Sequence, residues 1–207
     1  MIIIADDLTG ASDYAVPYKE NGFSTMVEVL YEDGDIERYK DYDILSINTD
    51  TRWLDSQQAY KKVFAITHQL SGQGIVYIYK KIDSILRGNP ASELDAVMDA
   101  MECRLALVAP SFPENGRTVC GGVLVSGDLR INAAELFSQG MNHRAEGVLL
   151  DIIRKGTRPL EEYLRERMTS GVEVFVLDAC TDDDLKIIKN TAKRFADKKV
   201  LCGSAGL

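Results

Sequence analysis

Basic residues are in short supply: 24 lysines and arginines face 32 aspartates and glutamates, a formal charge of −8 with pI near 4.9. Nucleic-acid binding needs a basic stripe, so no nucleic-acid partner is expected. Long hydrophobic runs are missing as well, and no membrane association is expected because no stretch reaches the ~20 apolar residues of a span. The chain opens on an expected strand rather than a basic and apolar leader, which points to a cytoplasmic location. Histidine occurs only as His68 and His143, which stand alone and receive no role. Cys103, Cys120, Cys180 and Cys202 are widely spaced without a C-x-x-C pair, so neither a zinc site nor a disulfide framework is expected. All four read as buried small residues, and no metal ligand is assigned. Nucleotide signatures are missing too: no G-x-x-x-x-G-K-[ST] occurs, and Gly72-Gln73-Gly74 runs into Ile75-Val76-Tyr77 without the third glycine of a dinucleotide fingerprint.

What is there is ordinary globular material, 207 residues with 45% hydrophobic and 27% charged, enough for a full core, with one domain the default count and two small lobes the alternative. Apolar runs recur at MIII, TMVEVL (25 to 30), DILSIN (43 to 48), IVYIY (75 to 79), LALVA (105 to 109), VEVFVL (172 to 177) and KVLC (199 to 202). Helical patterns lie between several of them, which predicts an α/β fold: a mostly parallel, doubly wound open sheet with helices on both faces. ASELDAVMDAME places Leu94, Val97, Met98 and Met101 on one helical face, with Asn89 as its expected N-cap and Pro90 at its first position. Further helices are expected from Ser56 and from Pro159. Thr181 and Asp184 have capping-box spacing ahead of Leu185, Ile188, Ala192 and Phe195, so the acidic run there reads as a helix start rather than a metal site. Around GGVLVSGDLRINAAELFSQGMNHRAEG periodicity fades, and hairpins, loops or an inserted subregion are expected.

The polar segments follow the strands. DDLTG comes after the first, NTDTR (48 to 52) after the third, KKIDSILRGN (80 to 89) after the fourth and APSFPENGR (109 to 117) after the fifth. Parallel strands end on one edge, so these segments should meet at one crevice. Lys81, Arg87, Arg117 and Arg52 would concentrate positive charge there, and guanidinium groups match carboxylates bidentately. Gly88 allows close backbone approach, and the helix after Asn89 presents free N–H groups to an anion. Asp6, Asp7 and Asp83 supply acceptors for hydroxyl groups and a candidate general base. A small molecule bearing both a carboxylate and hydroxyls is the expected ligand. Each residue also has a bland reading. Asp6 and Asp7 could be an acidic turn with a helix cap, Thr9 or Ser84 local caps, Asn115-Gly116 merely a turn, the arginines structural partners of acids, and only one of Lys80 and Lys81 should face the crevice.

An aspartyl phosphatase of the haloacid dehalogenase type also begins with a strand and an aspartate motif, but it needs a second acid two residues on. Here Leu8 follows Asp6 at that spacing and Thr9 follows Asp7. ADDLTGASD, INTDTR, YKKIDSILRGN, APSFPENGRTVCGG, VLDACTDDDL and CGSAGL together resemble, in order and over nearly the whole length, the N-terminal sugar-acid-binding domain of the four-carbon acid sugar kinases. The resemblance implies one such domain over 1–207, with phosphorylation of the terminal hydroxyl of threonate, erythronate or an oxo-tetronate. ATP and Mg would serve the complete enzyme rather than this chain alone. It places Asp6, Asp7, Thr9 and Gly10 in the first motif and Arg52 beside Thr51. Lys81, Asp83, Ser84, Arg87, Gly88 and Asn89 fall in the second motif, and Phe112, Pro113, Asn115, Gly116 and Arg117 in the third. Asp7 is the nominee for catalytic base.

Departures from the pattern are Ile85 in place of the usual threonine, Ser12 and Tyr14 where asparagine and threonine are common, and no aspartate-proline pattern between Asn132 and Val148. Family members also continue past Gly203-Ser204-Ala205-Gly206-Leu207 into a nucleotide-binding domain. The expected partners are therefore a sugar acid and a separate C-terminal nucleotide-binding polypeptide, and the chain alone should be catalytically weak. A non-catalytic hydroxy-acid binding module is the alternative, and the phosphatase a more distant one.

Overall fold

The computed structural model describes residues 1–31, 36–72, 77–195 and 198–207. Its frame is a single parallel sheet of eight strands in the order β2-β3-β1-β4-β11-β5-β10-β9. The strands are β1 (Ile2–Ala5), β2 (Thr25–Glu28), β3 (Ile44–Asn48), β4 (Ile78–Lys81), β5 (Ala106–Ala109), β9 (Ala145–Val148), β10 (Val174–Leu177) and β11 (Val200–Gly203). The central strands are buried on both faces, which is why they read as unbroken apolar runs rather than as alternating ones. A second, antiparallel sheet of β6 (Arg117–Cys120), β7 (Val123–Ser126) and β8 (Leu129–Asn132) fills the stretch where periodicity fades.

Helices cover both faces, as expected. On one lie α2 (Ser56–Gly72), α3 (Pro90–Ala100) and α4 (Ala133–Gly140), packing Val63, Leu70, Leu94, Val97 and Phe137 onto the sheet. On the other lie α1 (Leu8–Glu20), α6 (Thr157–Thr169) and α7 (Asp182–Arg194), contributing Tyr14, Leu160, Leu164, Leu185 and Ile188. A short α5 (Leu150–Ile153) precedes α6. Connections running one way along the sheet use the first face and those running back use the second, the consequence of right-handed crossovers. Among the described residues no helix is long and apolar enough to cross a membrane.

Several expectations need correction. The fourth strand was placed at 75 to 79; residues 75 and 76 lie outside the described residues, and β4 runs on through Lys80 and Lys81. Two lysines can occupy a buried strand because Lys80 has a carboxylate partner inside the core, described below. The helix α1 went unread because Gly10 and Pro17 interrupt its pattern, and α4 and β9 were hidden in the aperiodic stretch. Asn89 does occupy the N-cap position of α3, yet its side chain makes no capping bond. Only Cys103 and Cys202 are buried; Cys180 is half-buried and Cys120 exposed, since it ends β6 with its side chain alternate to the buried Val119. His143 has a structural partner, its Nδ1 lying 2.7 Å from Asp95, which also receives the backbone N–H groups of Asn142 and His143. The capping box of Thr181 and Asp184 is present.

Candidate functional site

The chain leaves β1 toward one face of the sheet, into α1, whereas both neighbours of β1 send their chains to the other face, β3 into α2 and β4 into α3. A crevice opens at the carboxyl ends of strands where exits diverge in this way. The residues found there are Asp6 and Asp7 after β1, Thr49 to Arg52 after β3, and Lys81 to Asn89 at the end of β4. The loop after β3 is drawn down onto β1, because the amides of Thr51 and Arg52 both donate to the Asp6 carbonyl, at 3.0 and 3.2 Å.

That loop delivers Arg52 into the middle of the acids. Its Nε and Nη2 donate to the two oxygens of Asp6 at 2.8 and 3.0 Å, its Nη1 donates to Asp7 Oδ2 at 2.6 Å, and Nη2 stands 3.6 Å from Asp83. Burial opposes the Arg52 charge, but Asp6, Asp7 and Asp83 outweigh it and hold the guanidinium above its ordinary pKa. Arg52 was expected to receive a ligand carboxylate. At 8% exposure, with its donors committed to acids of the chain, it is instead the internal counter-ion that lets three carboxylates converge.

Asp83 is held from the other side by a two-pronged bond from Arg87, Nε at 3.0 Å and Nη2 at 2.8 Å, and it accepts the Ile85 and Arg87 amides at 3.2 Å each. Burial alone would raise the Asp83 pKa; the bonds from Arg87 and the charge of Arg52 bring it below the ordinary value. Arg87 is exposed beyond this contact. Asp6 and Asp83 are thus buried and paired, which leaves Asp7 as the carboxylate of the cluster with substantial solvent access, its side chain 24% exposed. Its second oxygen accepts the Gly10 amide at 2.8 Å, so the bland reading of Asp7 as a helix cap is also correct. Thr9 lies exposed in the first turn of that helix.

The two lysines of β4 part company as strand alternation requires. Lys80 is completely buried on the α3 side, its Nζ 2.7 Å from the equally buried Glu93 and donating to the Lys81 carbonyl at 2.9 Å. Glu93, with Asp6, keeps Lys80 charged despite its burial. Lys81 lies on the α1 side, where its Nζ would be 3.2 Å from a Cβ at position 10, a point itself 2.8 Å from Asp7 Oδ1. Glycine at 10 is what permits this approach. Burial lowers the Lys81 pKa, and the charge of Lys80 lowers it further against the pull of Asp6 and Asp7.

Arg117 reaches the same cluster from β6 by donating from Nη1 to Ser84 Oγ. Asn115 and Gly116, both exposed, form the turn that delivers it, Gly116 in the left-handed region at φ 66°. Asn89 donates from Nδ2 to the carbonyls of Thr51 and Leu54, at 3.2 and 2.9 Å, locking the Arg52 loop to α3 while leaving the start of α3 without a side-chain cap. Sequence reasoning missed Glu93, the hidden partner of Lys80, since an acid on an apolar helix face carries no periodic signal. It also missed Asp178, which accepts the amides of Gly121, Gly122 and Leu150 and so ties the antiparallel sheet to the rim.

Chemically, the rim offers one accessible carboxylate near Arg87 and Arg117, with Lys81 buried behind them and donating to the Ile82 carbonyl at 2.9 Å, an environment for an anion that also carries hydroxyls. Asp6, Asp7 and Asp83 are each paired with a guanidinium group, and among the described residues no cluster of His, Cys, Asp or Glu is arranged for a metal ion.

The comparisons follow the same lines. The sugar-binding N-terminal domain family matches residues 1–136 and 130–207. The chain is 29% identical over 209 residues to the D-erythronate kinase of Heliobacterium modesticaldum, covering 93% of this chain and 48% of that protein. It is 31% identical over 219 residues to the D-threonate kinase of Bordetella bronchiseptica, covering 99% and 53% respectively. A crystal structure from Bordetella bronchiseptica, a domain of unknown function with bound citrate in a domain-swapped dimer, superposes with a TM-score of 0.80 at 29% identity over 100% of this chain and 53% of that one. The chain therefore spans about half the length of the curated relatives it matches.

Proposed function

Because the chain belongs to the sugar-binding N-terminal domain family, we propose that it is the substrate-binding half of an ATP-dependent kinase that phosphorylates the terminal hydroxyl of a four-carbon sugar acid. The observation carrying this reading is the pairing pattern at the rim. Arg52 neutralises the buried acids from within, so that Asp7 is left partly exposed near Arg87 and Arg117, while Lys81, 5% exposed and donating to the Ile82 carbonyl at 2.9 Å, backs them. Residues 1–207 act as one sugar-acid-binding domain in this reading.

The substrate carboxylate is held by Arg117, Arg87 and Lys81, and Asp7 accepts a hydroxyl. Ser84, Asp83, Gly88 and Asn89 set the positions of these groups. Asp7 is the general base for the hydroxyl that is phosphorylated, with Arg52 orienting it. ATP and Mg belong to the complete enzyme, whose second half supplies the phosphoryl group. The bound citrate of the Bordetella bronchiseptica structure is in keeping with a site for small hydroxylated carboxylates. The phosphatase reading loses ground because Asp6 is pinned by two bonds from Arg52 and has no second acid at the required spacing.

Calorimetric titration of the chain with D-threonate, D-erythronate and a 3-oxo-tetronate tests the reading. Binding of at least one acid is expected, weakened at least tenfold in Arg117→Ala and abolished in Lys81→Met. Failure to bind any hydroxylated four-carbon acid overturns it. Phosphorylation is expected only when a nucleotide-binding half is present, and turnover of ATP by the chain alone would contradict the division of labour.

A further inference from the structure

Two of the four cysteines meet although the sequence keeps them far apart. An isolated antiparallel bridge between Val119 and Ala179 pins the end of β6 to the segment between β10 and α7, the amide of each residue donating to the carbonyl of the other at 3.0 Å. Cys120 and Cys180 each follow a residue of that bridge, so alternation turns both side chains to its other face. The Cys180 thiol donates across it to the Val119 carbonyl at 3.7 Å, one peptide bond from Cys120. The two thiols also interact directly: burial raises the Cys180 pKa to about 11, and the charge and hydrogen bonding of Cys120 add to that rise. Cys120 itself is exposed. Beside the pair stands Arg154, anchored by two bonds to Asp184, Nε at 2.9 Å and Nη2 at 3.2 Å, and its charge acts on both sulfurs.

An accessible thiol, a second thiol in contact with it and a fixed cation beside both are the parts of a pair that closes on oxidation. We propose that Cys120 and Cys180 form a reversible intramolecular disulfide, a modification site closed by peroxide and reopened by small thiols. The Cys120 thiolate, favoured by the Arg154 guanidinium, attacks one oxygen of hydrogen peroxide. The S–O bond forms, the O–O bond breaks, and the other oxygen leaves as hydroxide and takes up the proton that the thiol gave. The Cys180 sulfur then attacks the sulfenic sulfur: the S–S bond forms, and the hydroxide that leaves carries off the Cys180 proton as water. Two thiols thus give up two electrons and two protons, and the peroxide becomes two waters. The first step also removes the Cys120 charge, one of the contributions that raise the Cys180 pKa, so it eases the second. Cys103 and Cys202 are buried and take no part. The bridge staples the antiparallel sheet to the segment ahead of α7, close to where Asp178 accepts the Gly121 and Gly122 amides. It forms without any bound ligand, so it stands apart from the sugar-acid reading.

The test oxidises the reduced chain with hydrogen peroxide in slight molar excess, then blocks free thiols with a maleimide in denaturant and maps the peptides by mass spectrometry. One disulfide joining the Cys120 and Cys180 peptides is expected, with Cys103 and Cys202 recovered as blocked thiols. Dithiothreitol should return all four cysteines to the reduced form. The oxidised chain should melt several degrees above the reduced one, because the bridge closes a long loop. Cys180→Ser should leave a sulfenic acid at Cys120 that dimedone traps, and Cys120→Ser should give neither product. Both variants, when reduced, should melt with the reduced parent, which shows that they fold. Arg154→Gln should slow closure several-fold, and Arg154→Lys, which keeps the charge, should restore most of the rate. No Cys120–Cys180 disulfide, a covalent dimer through Cys120 as the sole product, oxidation of Cys103 or Cys202 ahead of the pair, or a bridge that lowers the melting temperature would each overturn the inference.

Discussion

Gly88 and Arg52 lie so close that a Cβ on residue 88 would push the Arg52 backbone aside by a few tenths of an ångström. A Cβ at position 88 would stand 3.2 Å from the Cα and from the carbonyl oxygen of Arg52, and the Gly88 φ of 80° is itself one that other residues avoid. The contact presses the Arg52 backbone into place, and from that backbone the guanidinium reaches three acids. Gly88→Ala is therefore expected to cost about 1–3 kcal/mol of stability and to weaken sugar-acid binding together with it. Urea denaturation and titration of the same variant check both.

Arg52 and Arg117 are both arginines of the rim with different work. Arg52→Ala removes the partner of three converging carboxylates, two of them buried, and should destabilise the fold by about 3–5 kcal/mol. Arg117→Ala, whose contact is with a serine hydroxyl, should leave the melting temperature within a few degrees and act on affinity. Equal losses of stability in the two variants would contradict this division.

The Lys80 and Glu93 pair is completely buried at 2.7 Å. Removing one partner, as in Glu93→Leu, strands a charge in the core and should cost about 3–5 kcal/mol, whereas the double variant Lys80→Met, Glu93→Leu should recover most of it. A double-mutant cycle by urea denaturation measures the coupling.

Burial works against Asp184, but the bonds from Arg154, from the Cys180 amide and within the capping box bring its carboxyl down to about 2. A carboxyl depressed in the folded state stabilises the fold above its unfolded pKa, and that contribution is lost as pH falls toward the folded value. Asp184→Asn should thus lower stability by on the order of 2 kcal/mol near neutrality and flatten the decline between roughly pH 5 and pH 2. Thermal melts across that range, on parent and variant, show it.

Lys81 has its pKa lowered by burial and by Lys80. An ammonium that holds an anion is lost as pH rises through its own pKa, so sugar-acid affinity should decline on the alkaline side, and before the pH 10.5 expected of an ordinary lysine. The fluorescence of Trp53, the single tryptophan and the exposed neighbour of Arg52, offers the readout. An affinity flat from pH 7 to beyond pH 10.5 would remove Lys81 from ligand contact.

Much of this protein was legible in the order of its residues. Apolar runs too unbroken for one-sided strands, alternating with helical faces such as Leu94, Val97 and Met98, already require a parallel sheet covered on both sides. Parallel strands in turn force the polar segments after β1, β3 and β4 onto one edge, and the Thr181 cap is a local hydrogen-bond pattern that spacing alone reveals. Which cation serves the fold and which serves the crevice was decided only by tertiary structure. Arg52, Arg87 and Arg117 are the same chemical group in similar polar contexts, and what separates them is how many carboxylates come within reach once strands distant in sequence lie side by side. Lys80 and Lys81 differ by one position, yet strand alternation sends one to a buried glutamate from another helix and the other toward Asp7. Local pattern follows from the chain itself, but charge pairing is a property of distances in space, and those exist only after folding.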